Sequence, residues 1–129
     1  MDRQRLFAQL RLHEGVEVYP YKCSAGYLTI GVGRNIEERG LSDDEIDYIL
    51  NNDVNIATDE LVRTFDWYAD LDEVRQRVVI DMVFNLGMPR FKQFKNMIKA
   101  LDEGNYKEAS IQMMDLRNMM ETGEDSSDF

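Results

Sequence analysis

The sequence predicts an α+β protein, with a small antiparallel β-sheet lobe followed by a mostly helical C-terminal lobe. Strand formers concentrate between residues 16 and 33, punctuated by Pro20, Ser24, Gly26, Gly31 and Gly33, whereas apolar residues elsewhere recur at helical spacing. With 129 residues, 43% of them hydrophobic and 31% charged, the chain has room for one compact domain with a core but not for two ordinary ones.

Each element has its own signal. Leu6, Phe7, Leu10 and Leu12 predict a one-sided helix over residues 2–13, stopped at Glu14-Gly15 where glycine accepts a left-handed cap. Val16, Val18, Tyr19, Tyr21, Tyr27, Leu28, Ile30 and Val32 predict the small sheet. Ser42 followed by Glu45 is a capping box for a helix to about Asn51. Asp53 predicts the cap of a second helix, over about 54–65, with Val54, Ala57, Leu61 and Phe65 on one face. Asp70 with Glu73 predicts the start of a helix over 74–86 that is apolar nearly all round late in its course, hence central and buried. Gly87 ends it. Pro89 begins another helix, carrying Phe91, Phe94, Met97, Ile98 and Leu101 to Gly104, and Asn105 with Glu108 caps a last one. The polar tail at 123–128 is expected to fray.

This reading gives a single domain over 1–129. Its sheet-bearing lobe spans about 12–53, a connecting helix about 54–65, and a helical lobe about 66–122 joined by helix 2–13. Clefts form between lobes, so a site on the sheet side could face one.

Charge and composition narrow the partners. Twenty-five acidic against 15 basic residues leave a net charge of -10, which disfavours nucleic acid and works mildly against any polyanionic surface. Screening confines that repulsion to about 8 Å at physiological salt. No apolar run approaches the roughly 20 residues that span a bilayer, and the first residues do not form a signal-peptide core. A soluble protein with no stable membrane association, kept in a cytoplasm until released, is expected. One histidine and one cysteine make no ligand set, so neither metal nor organic cofactor is implied.

The chemistry concentrates in Glu14, Cys23 and Thr29, a carboxyl, a thiol and a hydroxyl within sixteen residues. Glu14 ends a helix, where the dipole disfavours a carboxylate and favours the protonated form that a general acid needs. The plain alternative is a solvated glutamate. Cys23 is either a buried filler, an incidental thiol or a reactive group, and Thr29 taken singly is an ordinary strand residue. Trp67 reads as a lobe-junction anchor or a sugar-stacking platform, and the methionines read as adaptable core filling.

The order Glu14-Gly15, Tyr21, Cys23, Gly26 and Thr29-Ile30-Gly31-Val32-Gly33 resembles the phage-type lysozymes, endolysins with N-acetylmuramidase activity. The resemblance continues through Leu41-Ser42, Asn52-Asp53, Trp67, Arg75-Gln76, Met82-Val83-Phe84-Asn85-Leu86-Gly87 and Met119-Met120-Glu121-Thr122-Gly123. It implies a lysozyme-like fold and cleavage of the β-1,4 bond between N-acetylmuramic acid and N-acetylglucosamine, for host lysis. Peptidoglycan glycan strands would be the partner, with the chain a monomer or weakly self-associating.

By the same resemblance Glu14 matches the general acid, Cys23 the position held by Asp or Cys, and Thr29 the hydroxyl that helps hold the attacking water. The family mostly inverts, which implies roughly 6.5–9.5 Å between the two catalytic groups. An acidic protein is expected to give little help to a thiolate. Phe84 matches a position near the substrate cleft, with plain core as its alternative. Asn85 is read as an amide for an acetamido group or as a helix cap.

Two departures stand out. Arg34 replaces a histidine, so the family's stabilising His-Asp pair has no counterpart, and a C-terminal segment of the kind Ser-x-Trp-x-x-Gln is missing. That loss would remove the arginine that pairs with the general acid, with Arg117 a candidate substitute. It would also expose apolar core, and it implies the alternative of a catalytically weakened, lysozyme-fold wall-binding or regulatory protein.

Overall fold

A computed structural model describes the backbone of residues 1–122 and the side chains of residues 1–114. The tail at 123–128 and the side chains of Arg117, Met119 and Met120 lie outside the described residues. The architecture is α+β, as predicted, with one small antiparallel sheet among helices. Two compact units divide the chain, Met1–Ile49 and Leu50–Phe129.

The first unit opens with α1 (Arg3–Glu14), whose Asp2 cap accepts the Arg5 N–H at 3.1 Å. Gly15 closes it with φ +79°, donating its N–H to Arg11 at 2.9 Å. The apolar spacing forms the helix but no buried seam, because Leu6 is half-buried and Phe7, Leu10 and Leu12 are exposed.

Strands β1 (Glu17–Lys22), β2 (Leu28–Gly31) and β3 (Arg34–Asn35) form the sheet in that order, antiparallel throughout. Tyr21 faces Thr29 across β1 and β2, and Thr29 faces Asn35 across β2 and β3. The β1–β2 register shifts between Glu17 and Tyr21, the stretch containing Pro20, which has no N–H for a ladder. A short α2 (Ile36–Arg39) follows, capped by the Asn35 side chain and closed by Gly40.

The capping box at Ser42 and Glu45 forms, with Ser42 donating its N–H to Glu45 Oε1 at 2.8 Å and Glu45 donating its N–H to Ser42 Oγ at 3.2 Å. It starts α3 (Asp43–Thr64), one continuous helix of 22 residues where the sequence predicts two. Asp53 caps nothing. Neither glycine nor proline interrupts 50–54, so nothing there forces the ladder to stop.

The core sits in the second unit, built on the 3-10 helix Asp66–Asp70, α4 (Glu73–Leu86), α5 (Met88–Phe91), α6 (Lys95–Asp102) and α7 (Tyr106–Thr122). Phe91, Leu61, Met97, Leu101 and Val79 are its most deeply buried large side chains. Trp67 is buried there too, its ring stacked on Phe65 at 4.8 Å, so it is no open sugar platform. Met82 and Met97 fill core as expected, whereas Met114 is exposed.

Three expectations for this unit are corrected. The cap of α4 is Asp72, accepting the Arg75 N–H at 3.0 Å, because Asp70 is taken up in the 3-10 helix. Helix α4 is buried on one face only: Val79, Met82 and Val83 point inward, while Val74, Val78 and Phe84 are exposed. The segment after Pro89 is two helices, broken around residues 92–94. Asn105 caps α7 as predicted, accepting the Glu108 N–H at 3.2 Å.

Candidate active site

Glu14, Cys23 and Thr29 all belong to the first unit, and β2 with the turns at its ends organises them. Thr29 lies inside β2 and is 3% exposed, the one buried polar side chain among the described residues. Its hydroxyl donates to the Tyr27 carbonyl at 2.9 Å, its lone pairs stay open to accept, and by turning it can donate to the Cys23 sulfur instead.

Cys23 follows β1 at the start of the turn into β2. Its N–H donates to Tyr27 O at 3.0 Å and its carbonyl accepts the Gly26 N–H at 2.8 Å, so the two strands stay in register through the turn. Since side chains alternate along paired strands, Tyr21 and Cys23 fall on the same face as Thr29 and Tyr27. Cys23 and Thr29 are therefore diagonal neighbours.

The thiol is half-buried and acidified. Backbone hydrogen bonding from Tyr27 is the largest cause, followed by Ala25, with smaller help from the Thr29 hydroxyl and Gly26, while burial acts the other way. The expectation that an acidic protein would give a thiolate little help is thus corrected. Net charge says nothing about amide dipoles folded around one sulfur.

Glu14 ends α1 and is exposed. Its carboxyl rests on the turn between β2 and β3: a β-carbon added at Gly33 would meet Glu14 Oε2 at 3.0 Å and Cδ at 3.4 Å. Gly33 holds φ +70°, a conformation that L side chains avoid. Both its backbone angle and its lack of a side chain are used.

Arg34, the next residue, is where the family's histidine is replaced. Its guanidinium donates to Glu45, with Nη2 at 2.7 Å from Oε2 and Nη1 at 2.8 Å from Oε1, and Nη1 also reaches the Gly40 carbonyl at 3.3 Å. The Arg34 hydrogen bonds, aided by Ser42, hold the Glu45 carboxyl down at about 2. A stabilising pair thus exists here, made with a different partner. Sequence reasoning named Gly33 in the site motif and Arg34 as a departure beside it, but not the Glu14 contact at Gly33, and it read Glu45 only as half of a capping box.

Phe84 and Asn85 lie on α4, in the second unit. Phe84 is 46% exposed, which removes the core alternative. Asn85 does not cap the helix. It is the penultimate helical residue, Gly87 forms the cap, and the Asn85 Nδ2 donates to Asp81 Oδ1 at 3.1 Å. Among the described residues no group of three or more His, Cys, Asp or Glu is placed to hold a metal ion, and no helix is long and apolar enough to cross a membrane.

Comparison with known proteins agrees in one direction. The family model described as phage lysozyme matches residues 11–125. "Probable T4-type lysozyme 1" of Dictyostelium discoideum is 26% identical over 133 aligned positions, covering 81% of this chain and 78% of the relative. "Probable T4-type lysozyme 2" of the same organism is 23% identical with the same coverage.

Proposed function

The chain belongs to the phage lysozyme family, and from that premise we propose that it hydrolyses the β-1,4 bond between N-acetylmuramic acid and N-acetylglucosamine of bacterial peptidoglycan, with inversion. One arrangement supports the reading: within Met1–Ile49 a carboxyl seated on Gly33, a thiol facing backbone amides and a buried hydroxyl are organised by a single strand and its turns.

Glu14 protonates the glycosidic oxygen as oxocarbenium character develops on the sugar. Cys23, as thiolate, takes a proton from a water whose other hydrogen is accepted by Thr29, and that water attacks from the opposite face. Lowering the thiol's proton affinity trades base strength for population of the active form near neutrality, the balance general-base catalysis requires. Phe84 offers an exposed apolar ring to the glycan, and the Asn85 amide retains hydrogen-bonding capacity for an acetamido group. The same proposal takes residues 1–129 as one monomeric lysozyme-like domain, acting in host lysis once released from the cytoplasm.

Reducing-end analysis of purified peptidoglycan tests the reading. Wild type is expected to generate new reducing muramic ends, Glu14→Gln none, and Cys23→Asp to retain them. Binding to the wall with no new reducing ends, unchanged in Glu14→Gln, would replace hydrolysis by the weakened, wall-binding alternative.

A further inference from the structure

We propose that Arg34 and Glu45 form a latch that positions Glu14 for the reaction, by fixing the glycine turn on which its carboxyl rests. The inference builds on the muramidase reading, in which Glu14 is the general acid.

The turn between β2 and β3 carries Gly31 at φ +68° and Gly33 at φ +70°, neither restrained by a side chain of its own. On one side β2 holds it, through the pairing of Ile30 with Arg34. That pairing is short, since β3 is only two residues long. On the other side the restraint is Arg34, whose guanidinium reaches past α2 to the Gly40 carbonyl and both oxygens of Glu45. Glu45 is itself fixed in the first turn of α3, since it also accepts the Ser42 N–H at 2.8 Å.

A planar guanidinium donating to both oxygens of a carboxylate sets distance and orientation together. The constraint therefore passes from the first turn of α3, through Arg34, to the adjoining Gly33 and to the Glu14 carboxyl, which a Gly33 β-carbon would meet at 3.0 Å. An exposed glutamate ending a helix has no such orientation by default, and general acid catalysis depends on it. Arg34 and Glu45 touch no reacting atom; they are positioning residues.

Steady-state cleavage of peptidoglycan by Arg34→Gln, Arg34→Lys and Glu45→Gln tests the latch, with Arg75→Gln as control. Glu45→Gln keeps an oxygen for the Ser42 N–H, and Arg75→Gln breaks the separate 3.0 Å pair with Asp72 in the second unit. Arg34→Gln and Glu45→Gln are expected to lower kcat on the order of 10- to 100-fold with KM little changed, as for a displaced catalytic group. Arg34→Lys restores part of the loss, and Arg75→Gln leaves kcat alone.

A second readout needs no turnover: the cross-relaxation peak between the Glu14 γ-protons and the Gly33 α-protons, present in wild type and in Arg75→Gln, weakens in Arg34→Gln. An unchanged peak in folded Arg34→Gln overturns the latch. So does a kcat equal to that of wild type. If wild type yields no reducing ends, the muramidase reading fails and the peak alone decides the latch.

Discussion

The Glu14 carboxyl lies against the bare backbone of Gly33, so close that a single added methyl would stand 3.0 Å from Oε2. The side chain that ends a helix meets a sheet turn there, at a position where the turn carries no side chain of its own. Gly31 has nearly the same backbone angle, φ +68° against +70°, but an added β-carbon there meets nothing within 4 Å. The two glycines separate strain from displacement.

Gly33→Ala and Gly31→Ala are each expected to lose on the order of 1–2 kcal/mol of stability, the cost of an L residue in the left-handed region. Only Gly33→Ala moves Glu14. Its cleavage rate should fall on the order of 100-fold, with Gly31→Ala retaining most activity. Thermal unfolding and turnover measured on the same preparations check both halves.

Thr29→Val keeps the side chain's shape and removes its hydroxyl. The Tyr27 carbonyl loses a hydrogen bond, expected to cost about 0.5–1.5 kcal/mol in urea unfolding. The Cys23 thiol loses one of the groups that acidify it, so thiolate should form at higher pH than in wild type. Alkylation rate against pH reads this directly, and a curve unmoved by the substitution would refute the coupling.

Glu45 ionises at about 2 in the folded protein against an ordinary 4.5, held down chiefly by Arg34. A depressed acid contributes stability that is fully present above its unfolded value and lost as pH falls through its folded value. Wild type should therefore exceed Glu45→Gln in urea midpoint above pH 4.5, with the gap closing between 4.5 and 2. A gap independent of pH across that window would show that the charge contributes nothing.

Phe91 is fully buried and meets Phe65 edge-on at 5.9 Å. Phe91→Ala should destabilise the second unit by about 3–5 kcal/mol, the range for truncating a buried aromatic. Denaturant unfolding followed by Trp67 fluorescence reports it, since Trp67 stacks on the same Phe65.

Elements with local chemistry were legible in the sequence. Gly15 ends α1, Ser42 and Glu45 make a capping box, Gly87 ends α4 and Asn105 caps α7, because each depends on residues a few positions apart. What failed was burial and continuity. A run such as Val78, Val79, Ile80, Met82, Val83, Phe84 looks apolar all round, yet which face turns inward depends on partners distant in sequence. Asp70 and Asp72 are equally good caps on paper, and the 3-10 helix ending at Asp70 decides between them. Within the site the residue types were readable, but the acidified thiol was not, because the amides around it belong to a turn and not to a composition.

The first unit buries one side chain, and it is Thr29. Its shape is kept by glycine turns, strand pairing and a guanidinium, with the large apolar core elsewhere in the chain. Bonds of that kind open at low free energy and close again without global unfolding, so amide protons along 23–33 should exchange with solvent well before those around Phe91. The proposed chemistry thus resides in a shallower energy well than the one that holds the apolar core around Phe91.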